Sequence, residues 1–245
     1  MAMYACSDFH GMLHFYKTIK EFLQPEDQVI FLGDAGDRGP HPWETIKAIL
    51  NDPQFIYIKG NHEDMLVNAM GHGYGSAWAL LRSNGGKKTC EQAMDEPNWK
   101  EWKAKLISLP THIEYINIQG ETIYLSHAGF TPSTDHQGQM RRVRDRDLIW
   151  DRDHFLDEWP EDEMFQKTII VHGHTPIPYL LDDIDPCCKM GDIEPGALWY
   201  ADGRNVVLIA APSLLESVFC WTWIPGMSMF SCLNHIYNID FYKKI

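Results

Sequence analysis

The chain has 245 residues, 44% of them hydrophobic, and this length and composition predict a single domain over 1–245 with one sizeable core. Its formal net charge of −13 at pH 7 argues against a nucleic-acid partner, because a nucleic-acid groove needs clustered Lys and Arg to neutralise phosphates. No apolar run in the sequence is long enough to span a bilayer and no signal-peptide pattern is present, so we expect a cytoplasmic protein without a membrane partner.

The first quarter of the chain alternates short apolar runs with helical patterns. Apolar runs predict strands at 3–6, 29–32 and 55–58. Apolar residues at helical spacing predict helices at 12–23 and 43–50. Strands that alternate with helices in this way are typical of a parallel sheet with helices packed on its faces.

The pattern changes after residue 68. Several glycines divide the segment at about 68–110 into helical stretches, so we predict a mainly helical, cap-like insertion that lies over the site. Beyond it, apolar runs predict strands of a second sheet at 113–118, 122–125, 168–171, 205–210 and 217–223. The first two of these runs are joined by a glycine-containing turn, which indicates a β-hairpin.

Five of the apolar runs end in side chains that can bind a metal ion. These endings are Asp8 with His10, Asp34 with Asp37, Asn61 with His62, His127, and His172 with His174. Because the carboxyl ends of the strands form the ligand crevice of an open α/β fold, we expect the five endings to converge in space. A lone buried histidine is usually a hydrogen-bonded core residue, but five such endings in one chain indicate a shared polar site.

The segment 33–39 carries the most charge of these endings. Asp34, Asp37 and Arg38 follow a buried strand directly, and such groups are unfavourable at a strand end unless something charged binds between them. A divalent metal ion together with a phosphate group meets that requirement. A zinc-protease helix is excluded, because Leu66 and not a second histidine stands four residues after His62.

These motifs together resemble those of the calcineurin-like metallophosphoesterase superfamily, in its phosphoprotein phosphatase branch of small bacterial and phage enzymes. The matching segments are Asp8-Phe9-His10-Gly11, Gly33-Asp34-x-x-Asp37-Arg38-Gly39, Gly60-Asn61-His62-Glu63, His127-Ala128-Gly129, Trp150-Asp151-Arg152 and Gly173-His174-Thr175. The resemblance implies an α/β fold, an αββα sandwich of two mixed sheets with flanking helices and a helical cap insertion. Gly36 departs from the family pattern, in which a β-branched residue is usual, and we expect it to loosen its loop.

The resemblance also implies two divalent metal ions. Mn²⁺, Fe and Zn²⁺ suit the mixture of carboxylate, amide and imidazole ligands, with Mn²⁺ the expected ion in vitro. The implied ligands are Asp8, His10, Asp34, Asn61, His127 and His174. Among these, Asp34 would bridge both ions. In the family, a hydroxide shared by the two ions attacks phosphorus directly and no covalent phosphoenzyme forms.

The remaining roles implied by the resemblance concern proton transfer and phosphate binding. His62 would protonate the leaving alkoxide, and Asp37 would hold the imidazole in the required tautomer. Arg38 and Arg152 would clamp the phosphoryl oxygens, with Asn61 also contacting the substrate. We interpret Glu63 as a helix-start residue favoured by the helix dipole. His172 is expected either to support the residues that contact the metal ions or to be structural.

The implied function is metal-dependent hydrolysis of phosphoserine and phosphothreonine in proteins, with phosphotyrosine as a further candidate substrate. A symmetrical bis(5'-nucleosyl)-tetraphosphatase, or another phosphoesterase acting on small molecules, would carry the same motifs. A catalytically silent metal-binding module is a third alternative, which the complete set of ligands, acid and clamps disfavours. The expected partner is therefore a phosphorylated protein or a small phosphoester.

Overall fold

The computed structural model describes residues 3–72, 75–116, 120, 122–131, 133, 135–139, 141–152, 168–175, 199–202 and 205–208. Within these ranges the chain forms two β-sheets with flanking helices. The predicted strand at 217–223 lies outside the described residues. Among the helices that the structure describes, none is long and apolar enough to cross a membrane.

The first sheet is parallel, with three described strands in the order β1-β2-β3. β1 is Met3–Cys6, β2 is Gln28–Phe31 and β3 is Phe55–Tyr57. Helix α1, Leu13–Phe22, connects β1 to β2, and helix α2, Pro42–Leu50, connects β2 to β3. The predicted alternation of strands and helices is confirmed. Because the strands are parallel, all three end at the same edge of the sheet.

Four helices follow β3 and form the predicted helical insertion together with its approach. They are α3 (Asn61–Ala69), α4 (Ser76–Ser83), α5 (Lys87–Asp95) and α6 (Trp99–Ile107). Their apolar side chains join a hydrophobic core that also contains Val29 and Phe31 of β2. The insertion is thereby packed onto the outer face of the first sheet.

The second sheet is mixed and has the strand order β4-β5-β6-β8-β7. Its strands are β4 (His112–Ile116), β5 (Thr122–Ser126), β6 (Thr168–His172), β7 (Trp199–Asp202) and β8 (Asn205–Leu208). The predicted hairpin of β4 and β5 is antiparallel, and β5, β6 and β8 run parallel to their neighbours in this order. The sequence patterns did not predict β7, which pairs antiparallel with β8, or the short helix α7 (Asp147–Trp150).

The two sheets pack face to face around a shared core. Ile30 and Leu32 from the first sheet meet Ile123, Leu125 and Val171 from the second, and all five side chains are fully buried. The neighbours of Ile30 along β2 point the opposite way, into the helical layer, because side chains alternate along a strand. A strand buried on both faces reads as a continuous apolar run, which explains the sequence pattern at 29–32. The architecture is the predicted αββα sandwich.

Candidate metal centre

The loops that leave β1, β2, β5 and β6 are hydrogen-bonded to one another. The backbone N–H of Asp8 donates to the Gly33 carbonyl at 3.0 Å. The Nδ1 atom of His127 donates to the Leu32 carbonyl at 2.7 Å, and the backbone N–H of His174 donates to Asp8 Oδ2 at 3.1 Å. The strand endings singled out in the sequence are therefore brought to one edge of the sandwich.

The backbone at this edge is strained. Among the described residues, the non-glycine residues with positive φ are Asp8 (59°), His10 (42°), Asp34 (61°), Asp37 (68°), Arg38 (59°) and His174 (63°). Each left-handed residue of this kind costs about 1–3 kcal/mol and persists only where the surrounding structure enforces it. Every one of them belongs to the site predicted from the sequence, which indicates that the strain serves the placement of these side chains.

The side-chain oxygen Oδ2 of Asp34 lies at the centre of the site. Three imidazole nitrogens face it: Nε2 of His10 at 3.8 Å, Nε2 of His62 at 3.8 Å and Nε2 of His127 at 3.3 Å. The other oxygen, Oδ1, accepts the backbone N–H of His62 at 3.0 Å, which fixes the carboxylate. Asp34 is thus placed where one carboxylate can contact two neighbouring clusters of ligand atoms.

The three histidines around Asp34 are held in one tautomer. In each ring Nδ1 faces a hydrogen-bond acceptor, and the acceptors are the Gly36 carbonyl for His10 (3.2 Å), Asp37 Oδ2 for His62 (2.5 Å) and the Leu32 carbonyl for His127 (2.7 Å). A neutral imidazole whose Nδ1 carries the hydrogen presents a lone pair at Nε2. Histidines oriented by an acceptor behind the ring in this way are typical of metal sites.

One cluster of ligand atoms surrounds Nε2 of His127. Asn61 Oδ1 lies 2.9 Å from this nitrogen, His174 Nδ1 lies 3.1 Å away, and Asp34 Oδ2 completes the group. All four residues are at most 5% exposed. With the hydrogen of His127 on Nδ1, Nε2 of His127 and the oxygens of Asn61 and Asp34 are all acceptors, and buried acceptors in contact are unfavourable unless a cation lies between them. The residues therefore fit a divalent metal ion.

A second cluster contains His10, Asp34 and His62, whose ligand atoms lie within 4.8 Å of one another. Asp8 Oδ1 lies 3.8 Å from Nε2 of His10, so the predicted ligand Asp8 borders the same space. His62, which the sequence predicted as the proton donor and not as a metal ligand, is also a member of this cluster. Carboxylate and imidazole ligands fit a first-row divalent ion here as well.

Burial and neighbouring charges shift the ionisation of the site. Burial raises the pKa of Asp8 to about 7. Burial also opposes ionisation of Asp34, but the charges of His127 and His62 hold the pKa of this carboxyl well below its usual range. For His127, burial lowers the pKa, yet the Asp34 carboxylate outweighs it and raises the pKa to about 9. Without a bound metal ion, the cluster of acceptors around His127 is thus stabilised by a proton.

Arg38 lies at the solvent side of the second cluster. Its Nη1 atom is 3.1 Å from Nε2 of His10, and its Nη2 atom is 3.2 Å from Nε2 of His62. The backbone N–H of Arg38 donates to the Gly85 carbonyl at the start of the turn into α5. Arg38 as a residue is exposed, and the N–H groups of its guanidinium that do not face the two histidines can bind an anion from solvent.

Arg152, the second arginine predicted to bind phosphate, lies in a different part of the chain. It follows α7, which is attached to the His127 loop because the Ala128 N–H donates to the Leu148 carbonyl at 2.8 Å. Burial and the charge of His127 lower the pKa of His174, and the charge of Arg152 lowers it further. Arg152 is exposed, and its charge disfavours protonation of His174.

Glu63 has a function that the sequence analysis missed. Its Oε2 atom accepts the backbone N–H groups of Asp34 at 2.8 Å and Gly60 at 2.9 Å. Its Oε1 atom accepts the Ala35 N–H at 3.0 Å and the Tyr57 hydroxyl at 2.8 Å. The bond to Gly60 agrees with the predicted helix-start role. The bonds to Asp34 and Ala35, however, join Glu63 to residues that precede it by 29 and 28 positions in the sequence. Glu63 thus holds the central carboxylate of the site in place.

Gly36 does not leave an open space in its loop. A Cβ atom at this position would lie 2.6 Å from Ile46 Cδ1 and 3.2 Å from Thr89 Cγ2. The volume of a larger side chain is therefore occupied by two neighbours from α2 and α5. Gly36 departs from the family pattern where neighbouring side chains leave no room for a β-branched residue.

We predict that Glu63→Gln destabilises the metal-free protein by about 1–3 kcal/mol, because the amide nitrogen of Gln cannot accept the N–H groups that the carboxylate now accepts. Tyr57→Phe is the matched control, since it removes only one of the four bonds, and it should cost about 1 kcal/mol. Urea unfolding of both variants measures the two changes. A Glu63→Gln variant as stable as Tyr57→Phe would contradict the anchoring function of Glu63.

Comparisons with known proteins identify the family of this chain and proteins of similar fold. The model of the calcineurin-like phosphoesterase family matches residues 1–209. A protein serine/threonine phosphatase from Saccharomyces cerevisiae with similarity to human phosphatase PP5 superposes with a TM-score of 0.52 at 16% identity, covering 87% of this chain and 68% of that chain. A metallophosphoesterase from Sphaerobacter thermophilus gives a TM-score of 0.47 at 16% identity, covering 84% of this chain and 74% of that chain.

At such low identity the yeast structure supports the fold alone, whereas the family match extends over most of the chain. The family implies divalent metal ions, and the clusters around Asp34 are groups that could bind them. The predicted metallophosphoesterase fold is confirmed. This chain belongs to the calcineurin-like phosphoesterase family and is a phosphoesterase of the hydrolase class.

Proposed function

We propose that this protein is a metal-dependent phosphoprotein phosphatase that hydrolyses phosphoserine and phosphothreonine. The observation that carries the proposal is the position of the Arg38 guanidinium between Nε2 of His10 and Nε2 of His62. An anion-binding group thereby adjoins both a cluster of metal-ligand atoms and an imidazole suited to proton transfer. That combination matches the requirements of phosphomonoester hydrolysis.

The proposed metal ligands are Asp8, His10, Asp34, Asn61, His127 and His174. Two divalent ions held by these residues would polarise phosphoryl oxygens and lower the pKa of water, which supplies a nucleophile near neutral pH. The protein side chains would then bind, orient and protonate the substrate. Asp34, fixed by Glu63 and by the His62 N–H, would hold the ligands of the two ions in their relative positions.

Phosphate binding falls to Arg38 and Arg152 in this proposal, together with Asn61. A guanidinium offers parallel N–H groups that match two phosphoryl oxygens at once. Both arginines are exposed, so the place where the phosphate would bind is open to solvent. An open position of this kind supports a phosphate carried on a protein surface, because a macromolecule cannot enter a closed pocket.

His62 is the proposed proton donor to the departing serine or threonine oxygen. Its Nδ1 atom is bonded to Asp37 Oδ2 at 2.5 Å, which directs Nε2 towards the site. Burial lowers the pKa of His62, but the charges of Asp34 and Asp37 outweigh it and raise the pKa above its ordinary value. The charged ring carries a second hydrogen on Nε2, and this hydrogen is the one that His62 would donate.

The direct test is hydrolysis of a phosphoserine peptide by the full chain after removal of metal ions and after addition of Mn²⁺. We expect no turnover in chelator and recovery with Mn²⁺. Diadenosine tetraphosphate, assayed in parallel, tests the nucleotide alternative. If diadenosine tetraphosphate is hydrolysed and the phosphopeptide is not, the protein is a nucleotide hydrolase and the proposal is wrong. If no phosphoester is hydrolysed, the protein is a catalytically silent metal-binding module.

We predict that the effect of His62→Asn depends on the leaving group. A general acid contributes about 10²–10⁴-fold when the departing oxygen is a poor leaving group, and much less when it leaves without a proton. The loss in kcat should therefore be large on a phosphoserine peptide and small on 2,4-dinitrophenyl phosphate. Equal losses on the two substrates would show that His62 acts on structure or metal binding instead.

A second prediction concerns pH. The proton donor must be charged, so kcat/KM falls as pH rises through the pKa of His62. Because the Asp37 carboxylate is one cause of the raised pKa, Asp37→Asn should move this alkaline limb to lower pH. Asp64→Asn removes a charge from the first turn of the same helix and should leave the limb in place. An unshifted limb in Asp37→Asn would contradict the assignment of His62.

The third prediction separates Arg152 from its basic neighbours. Arg152→Lys and Arg152→Ala should both weaken inhibition by inorganic phosphate and lower kcat/KM, with Ala the more severe, because lysine keeps the charge but not the paired N–H groups. The control is Arg144→Ala, since Arg144 is exposed and bonded to Asp147 at 2.7 Å and 2.9 Å. An unchanged phosphate inhibition constant in Arg152→Ala would show that Arg152 is a solvated surface residue that does not bind phosphate.

A further inference from the structure

We propose that Thr89, in helix α5 of the insertion, is a positioning residue for the Asp37–His62 pair. The proposal rests on the proposed role of His62 as the proton donor. Thr89 is fully buried, and its hydroxyl is bonded only to Asp37 among the bonds that the structure gives for it. No sequence motif marked this residue, which lies 52 positions after Asp37 in the chain.

The contact between Thr89 and Asp37 is made twice. The backbone N–H of Asp37 donates to Thr89 Oγ1 at 3.1 Å, and the Thr89 hydroxyl donates to Asp37 Oδ1. One hydroxyl therefore fixes both the backbone and the carboxylate of a residue whose φ is 68°. This arrangement supports a strained backbone conformation that Asp37 would otherwise leave.

The two oxygens of the Asp37 carboxylate have separate partners. Oδ1 accepts from Thr89, and Oδ2 accepts from His62 Nδ1 at 2.5 Å. The terminal torsion of an aspartate is soft, so a carboxylate held by one oxygen alone can rotate about it. Thr89 removes this freedom, and the orientation of the His62 ring depends on the carboxylate that it holds.

Two glycines permit the close approach of α5 to Asp37. A Cβ atom on Gly36 would lie 3.2 Å from Thr89 Cγ2, and a Cβ atom on Gly86 would lie 2.8 Å from Asp37 Oδ2. Larger residues at either position would press on the contact. The insertion thus contributes to the chemistry through Thr89, and Gly36 and Gly86 leave the space that this contact needs.

The test replaces Thr89 by valine, which has the same shape but no hydroxyl, and by serine, which keeps it. For Thr89→Val we expect a 10–100-fold lower kcat on a phosphoserine peptide, the loss typical of a hydrogen bond to a charged group, and a smaller loss on 2,4-dinitrophenyl phosphate. KM and metal content should not change. Thr89→Ser should be close to the wild type on both substrates.

Equal losses on the two substrates, or a Thr89→Ser variant as impaired as Thr89→Val, would overturn the proposal, because a merely structural residue would give either result. Thermal unfolding of each variant monitors the fold. If Thr89→Val does not fold, Thr89→Ala removes the hydroxyl without adding volume and is judged by the same two substrates.

A spectroscopic readout separates this proposal from the proposed function. The hydrogen between His62 and Asp37 should give a far-downfield proton resonance in the wild type, identified by its loss in His62→Asn. We expect Thr89→Ser to preserve this resonance and Thr89→Val to shift or broaden it through exchange with water. An unaltered resonance in Thr89→Val overturns the positioning role even if the protein hydrolyses no phosphopeptide.

Discussion

The contact of one buried carboxylate with three imidazole rings is the constraint on which the site depends. Oδ2 of Asp34 faces Nε2 of His10, His62 and His127, and the Nδ1 atom of each ring is fixed by an acceptor behind it. A buried carboxylate so close to three imidazole nitrogens is unfavourable unless a proton or a metal ion lies between them. The need for a cation is therefore built into the positions of these side chains.

The sandwich supplies the rigidity that this arrangement requires. Left-handed residues such as Asp8, Asp34 and His174 are unfavourable in isolation, and they follow strands that contribute fully buried side chains such as Ile30 and Val171 to the core. Glu63 ties the loop after β2 to the start of α3, and backbone bonds tie that loop to the loop after β1. The packing of the two sheets thus stabilises the strained backbone at the edge that carries the site.

The sequence was sufficient for the features that depend on local pattern. Apolar runs located β1, β2, β3 and β6, and the polar residues that end these runs identified the members of the site. The bonds of Glu63 and Thr89 could not be predicted, because they join segments 28 to 52 residues apart and depend on how α3 and α5 pack. β7 was missed since a single short edge strand carries little periodic signal.

Crystals of the protein soaked in Mn²⁺ would test the central claim most directly, through the anomalous scattering of the metal. The account predicts two Mn²⁺ peaks that share Asp34 as a ligand, one beside His10 and the other between His127 and His174. A single peak, or two peaks of which either lies out of contact with the Asp34 carboxylate, would contradict the account.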